Sequence, residues 1–116
     1  MKTNKVVTFG EIMVRLGAPD YLKLIQSNSL DVSYAGAEAN VAVSLAHYGI
    51  STDYITCLPE NPIAEHCIME LRGHRVGVDH IQRSGKRMGI LYLETGSNMR
   101  PSKVLYDREY SSIAMI

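Results

Sequence analysis

Tyr34-Ala35-Gly36-Ala37-Glu38-Ala39-Asn40-Val41-Ala42-Val43-Ser44-Leu45-Ala46-His47-Tyr48-Gly49 is the stretch whose reading decides the fold. It begins in an extended run, Asp31 to Tyr34, closed by Ala35-Gly36, and there the period changes. Ala39, Ala42, Val43 and Ala46 recur at three- and four-residue spacing, and Val41 and Leu45 widen the stripe. A helix apolar on most of its surface must be buried on most sides. Gly49 then suits a left-handed cap at the helix end.

Outward from this helix the same grammar repeats. Lys5-Val6-Val7-Thr8-Phe9, closed by Gly10, reads as a buried strand, and Asp53 to Leu58 reads as another. Asn61 followed by Pro62 is a helix start, with Asn61 as cap and proline at the first helical position. Ile63, Cys67, Ile68, Met69 and Leu71 carry an apolar face to about Gly73, and Asp79 to Gln82 is a short strand. Strand–helix–strand–helix–strand is the pattern of a parallel α/β sheet. Met88–Glu94 and Ser102–Arg108 depart from it, because Thr95-Gly96-Ser97-Asn98 between them reads as a hairpin turn. A separate β layer is expected, with strands at about 12–16, 31–34, 88–94 and 102–108.

The 116 residues include twelve basic and twelve acidic side chains, with 46% apolar and 21% charged residues. That is ordinary globular composition for one small domain. A nucleic-acid binder carries a basic excess. Here the densest basic stretch is Arg83, Lys86 and Arg87 around Gly85, a solvated turn. The longest nearly apolar stretch, Val41 to Ala46, is far too short to span a bilayer. Cys57 and Cys67 form no C-x-x-C pair and no disulfide framework, so reduced thiols in a cytoplasmic protein are expected. Neither a nucleic acid nor a membrane is an expected partner.

Two features carry chemistry. Gly36 opens the apolar helix, and a helix N-terminus presents unpaired N–H groups and partial positive charge to an anionic or hydroxylated ligand. Gly36 lets a ligand approach the backbone, and Asn40, one turn in, both donates and accepts hydrogen bonds. The second feature is Tyr106 and Arg108, two apart on one strand and therefore on one face. Arg108 offers a planar fork for a carboxylate, and Tyr92 on the neighbouring strand is expected to add an aromatic wall. Together they suit a polyhydroxy acid, its carboxylate on Arg108 and its hydroxyls on Asn40 and the backbone near Gly36. His66 and Glu70, one turn apart, read as a surface ion pair. His47, His74 and His80 offer no constellation, and no metal site is expected.

Phe9-Gly10-Glu11, Ala35-Gly36-Ala37-Glu38-Ala39-Asn40-Val41-Ala42 and Arg100-Pro101-Ser102-Lys103-Val104-Leu105-Tyr106-Asp107-Arg108 resemble PfkB (ribokinase-like) carbohydrate kinases. Within that family they are most similar to 2-keto-3-deoxygluconate kinases, with fructokinases and ribokinases as the nearest alternatives. The likeness runs from Val6 to about Ala114. It implies a doubly wound α/β domain whose small β lid closes over the sugar and commonly doubles as the contact of a homo-oligomer. It implies substrate positions at Gly36, Ala37, Glu38, Ala39, Asn40, Tyr92, Tyr106, Asp107 and Arg108. The implied reaction is ATP-dependent phosphorylation of a sugar-acid hydroxyl, with magnesium bridging the phosphates. Two departures stand out: Ala35 where the family usually has a first glycine, and Ala64 where a glycine is common.

The family's catalytic base lies in a Gly-Ala-Gly-Asp motif, with the ATP site, beyond the stretch matched here. Gly17-Ala18-Pro19-Asp20 is no substitute, because Pro19 has no N–H to give an anion hole. No G-x-x-x-x-G-K-[ST] loop occurs. No catalytic residue and no ATP or magnesium site is therefore expected within residues 1–116, and the apolar ending Ile113-Ala114-Met115-Ile116 reads as a truncation. Three readings follow. The chain is the substrate-binding N-terminal part of a sugar-acid kinase, inactive alone; or it is a non-catalytic sugar-acid binding module; or it is an inactive remnant.

Overall fold

The computed structural model describes residues 5–97 and 99–116; Asn98, expected in the hairpin turn, lies outside them. Strand β1 (Val6–Phe9) precedes β2 (Met13–Gly17), a one-turn 3-10 helix (Leu24–Gln26) and β3 (Asp31–Ala35). Helix α1 (Ala37–His47), β4 (Thr52–Ile55), β5 (Cys57–Leu58) and α2 (Pro62–Gly73) follow. The chain continues through β6 (Gln82–Arg83), β7 (Ile90–Glu94) and β8 (Lys103–Asp107).

The parallel layer forms as the pattern predicts. β1 and β4 run parallel, Val6 opposite Thr52 through Phe9 opposite Ile55, and β5 runs parallel to β6. The strand expected over 53–58 is interrupted at Thr56. Upstream of the break the strand pairs with β1, whereas downstream Thr56 O accepts from Gln82 N at 3.0 Å and β5 pairs with β6. The strand expected at Asp79–Gln82 falls at Gln82–Arg83 instead, because Asp79 and His80 turn, with Ile81 N donating to Val78 O.

Helix α1 packs against β1 and β4 on Ala39, Ala42 and Ala46, all buried, so small side chains let the helix settle closely on the sheet. Its end is a Schellman turn: Ile50 N donates to Leu45 O and Gly49 N to Ala46 O, both at 3.0 Å, with Gly49 at φ 80°. Helix α2 starts as read, Asn61 Oδ1 accepting from Ala64 N at 2.8 Å with Pro62 in the first turn. It ends in the same Schellman pattern, Val76 N to Leu71 O, but there Arg75 holds the left-handed position at φ 65°. Tyr54, Leu58, Ala64, Cys67, Ile68, Leu71 and Val76 join Ile12 and Val14 in one core. Burial pushes the Tyr54 phenol up from its ordinary pKa and its hydroxyl donates to Gly10 O at 2.7 Å. Burial, reinforced by the Glu70 charge, pushes the Cys67 thiol up to about 12.

The remaining strands form one four-stranded sheet in the order β3-β2-β7-β8. β2 pairs antiparallel to β3 and parallel to β7, and β7 pairs antiparallel to β8. One face sets Val14, Leu16, Tyr34 and Ile90 on the core. On the parallel layer, β1 pairs only with β4 among the described residues, leaving Val7 and Phe9 more than half exposed.

Candidate functional site

Two places in this fold carry polar groups without an obvious structural duty. The first is the start of α1. Gly36 is its N-cap, in extended backbone at φ −169° and ψ 133°, and no side chain caps the first turn. The N–H groups there stay open to an external acceptor. Glycine is required by a close approach rather than by its dihedrals: a Cβ at Gly36 would stand 2.5 Å from Glu11 O. Glu38 lies in the first turn with its carboxylate against Gly10, and Thr8 Oγ1 donates to Glu38 O at 3.1 Å. Ala39 is buried, while Ala37 and Asn40 are exposed.

The second place is the sheet face turned away from the core. The register sets Ser33, Arg15, Leu91 and Tyr106 side by side across β3, β2, β7 and β8. Arg15 Nε donates to Ser33 Oγ at 2.8 Å. Arg108, two residues past Tyr106, lays its guanidinium 5.5 Å from the Tyr106 ring centroid, a cation–π arrangement. Tyr106 is 63% exposed while Leu91 beside it is buried, so the face is open at its β8 edge.

Glu11 joins the two places. Its carbonyl oxygen abuts Gly36, its Oε1 lies 3.6 Å from Arg108 Nη1, and its Oε2 accepts from Ser111 Oγ at 3.1 Å. From sequence alone Glu11 is only the last residue of the Phe9-Gly10-Glu11 motif, with no role, and nothing marks Arg15. Glu11 lies in the loop after β1, and its partners Arg108 and Ser111 are at the other end of the chain, which no local signal connects.

Not every expected site residue gathers here. Tyr92 pairs with Leu105, whereas Tyr106 pairs with Leu91, so Tyr92 stands on the opposite face from Tyr106. It borders a shallow depression of about 540 Å³ with Leu24, Ser27, Asn28 and Leu105. Asp107 shares that opposite face, and its carboxylate is held by Arg87 Nη1 at 3.0 Å. Asn40 lines a cavity of about 270 Å³ between α1, β3 and α2, beside Tyr34, Val43 and His74. The shared wall expected of Tyr92 and Tyr106 is corrected by the one-residue register, since neighbours along a strand point to opposite faces.

The histidines partly follow expectation. His66 Nε2 lies 3.6 Å from Glu70 Oε1, and Tyr34 Oη meets His66 Nδ1 at 2.7 Å. His47 and His74, read as isolated, come together with Nε2 and Nδ1 3.1 Å apart, linking the ends of α1 and α2. Among the described residues no group of three or more His, Cys, Asp or Glu could hold a metal ion, and no helix is long and apolar enough to cross a membrane.

The model of the pfkB family of carbohydrate kinases matches residues 3–114. The chain belongs to that family. This PfkB chain is 38% identical over 113 residues to the 2-dehydro-3-deoxygalactonokinase of Haloferax volcanii, covering 96% of the chain and 35% of that protein. It is 32% identical over 78 residues to the 2-dehydro-3-deoxygluconokinase of Bacillus subtilis, covering 67% and 24%. The crystal structure of 2-dehydro-3-deoxygluconokinase from Thermotoga maritima superposes with a TM-score of 0.95 at 50% identity, over 97% of this chain and 34% of that one. The PfkB chain thus spans about a third of its relatives' length, and its fold is part of the ribokinase-like architecture.

Proposed function

We propose that this PfkB chain carries the sugar-acid-binding part of a kinase acting on a 2-keto-3-deoxy sugar acid, with 2-keto-3-deoxygluconate as the first candidate. The observation that carries the reading is the exposed Arg108 guanidinium. It lies over Tyr106 and is tied through Glu11 to the uncapped start of α1. An arginine fork binds a carboxylate in two parallel hydrogen bonds. The N–H groups at residues 36–39, ahead of the first intrahelical bond from Asn40 N to Gly36 O at 2.9 Å, receive hydroxyl or carbonyl oxygens. Tyr106 supplies a flat apolar surface for the carbon chain. The names of the similar kinases, gluconate and galactonate alike, support a sugar acid over a neutral sugar.

The four-stranded sheet is proposed as a lid over this ligand and as the contact of a homo-oligomer. The open edge of β1, with Val7 and Phe9 exposed, supports completion of the parallel layer by further polypeptide. ATP is the phosphate donor in this family, with magnesium proposed to bridge the phosphates. The described residues form neither a metal cluster nor a phosphate loop, so no step of the transfer is assigned to them.

Ligand-observed NMR on the 116-residue chain tests the reading. 2-Keto-3-deoxygluconate binds saturably, fructose binds at least about tenfold more weakly, and Arg108→Ala removes the preference. Equal binding of both sugars, or an Arg108→Ala chain that still prefers the acid, contradicts it.

A further inference from the structure

Arg108 sits just past the end of a strand, 57% exposed, and on its own would sample many rotamers. Ordering such a side chain on a ligand costs binding free energy. The structure supplies a device that orders it beforehand. Glu11 meets Nη1 with one carboxylate oxygen and is itself fixed at the other by Ser111, which is 1% exposed. Gly89 presses against the pair: a Cβ there would lie 2.8 Å from Arg108 Cβ and 2.9 Å from Glu11 Oε2. Glu11 is anchored at its backbone as well, its carbonyl packed on Gly36.

We infer that Glu11 is the positioning residue of Arg108, holding the guanidinium over Tyr106 so that its remaining donors meet a ligand carboxylate without reordering. The inference rests on the reading of Arg108 as the carboxylate anchor. A guanidinium has five N–H donors, and Glu11 lies 3.6 Å from Nη1, an ion pair longer than a hydrogen bond that attracts the group and leaves its donors for a second acid. Sequence alone hides this, because Glu11 and Ser111 are 100 residues apart.

If Glu11 merely braced the turn at 108–111, its loss would weaken every ligand alike. As a positioning residue it sets affinity for acids only. The test uses Glu11→Gln, which keeps size and an acceptor for Ser111 while removing the charge. The Arg108 Nε–Hε signal is followed by NMR in the ligand-free chain, and dissociation constants are measured for 2-keto-3-deoxygluconate and fructose. Glu11→Gln should leave the Arg108 side chain as mobile as an unpaired arginine and weaken the acid about three- to tenfold, the effect of one side chain left to be ordered on binding, with fructose binding unchanged. Ser111→Ala, which frees Glu11 itself, should shift the same quantities in the same direction by less, and it takes over the test if Glu11→Gln does not fold. An Arg108 signal and an acid affinity unchanged in the variant overturn the inference, as does equal weakening of both ligands. If instead Arg108→Ala leaves acid binding intact, the proposed function fails, and this inference with it.

Discussion

Gly36→Ala is the perturbation that probes most of the site at once. Alanine accepts φ −169° and ψ 133° without strain, so the cost is purely steric. The new Cβ would meet Glu11 O at 2.5 Å and Ile12 Cα at 3.2 Å, where ordinary contact begins at 3.4 Å. The backbone at Glu11 must therefore retreat by about 0.9 Å, the difference between 3.4 and 2.5 Å. Overpacking against backbone costs about 1–3 kcal/mol, and about 2 kcal/mol lowers the melting temperature of a domain this size by about 10 °C. The retreat also pulls the Glu11 carboxylate from Arg108 and Ser111, so sugar-acid affinity should fall by about tenfold, equivalent to about 1.4 kcal/mol. Gly49→Ala is the control. A Cβ there meets nothing within 4 Å, but φ 80° is left-handed, so about 1 kcal/mol of stability is lost with binding unchanged. Thermal melts and ligand titrations of both variants decide. A Gly36→Ala chain that melts and binds as the wild type would refute the packing of Glu11 on the start of α1.

Two further outcomes follow from the same geometry. Arg75 holds the left-handed position after α2 with its side chain exposed, so Arg75→Gly should stabilise the chain by about 1 kcal/mol in urea unfolding, and a loss of stability would contradict the Schellman assignment. Cys67, with its pKa pushed up to about 12, stays protonated at pH 8 and is fully buried, as is Cys57, so a thiol reagent should label neither in the native chain and both after denaturation.

The helices were legible because their signals are local. Asn61-Pro62 announces one start, Gly49 one end, and the alanine stripe from Ala39 to Ala46 the buried face. The four runs of the second sheet were legible as short extended stretches, two of them joined by turn residues. Its register was not. Alternation places Tyr106 and Arg108 together, but which β7 residue faces them depends on how the connection from Thr95 to Ser102 closes. There the pairing of Ser97 with Arg100 and the donation of Gly96 N to Ser102 Oγ fix the count. A one-residue difference moves Tyr92 to the other face and brings Leu91 in. The break at Thr56 was hidden for a similar reason, since a change of neighbouring strand leaves no mark in the continuous β-like run from Asp53 to Leu58. Glu11 stayed silent because its partners, Arg108 and Ser111, lie at the far end of the chain.

The start of α1 and the Tyr106–Arg108 face are proposed to form one ligand site. Backbone amide shifts of the labelled chain, followed through a titration with 2-keto-3-deoxygluconate, test it most directly. The amides of residues 36–40 and those of Tyr106 and Arg108 should move together and saturate with one dissociation constant, while the amides of residues 27–30, beside Tyr92, stay in place. Shifts confined to one of the two regions, or centred on the depression beside Tyr92, would contradict the account.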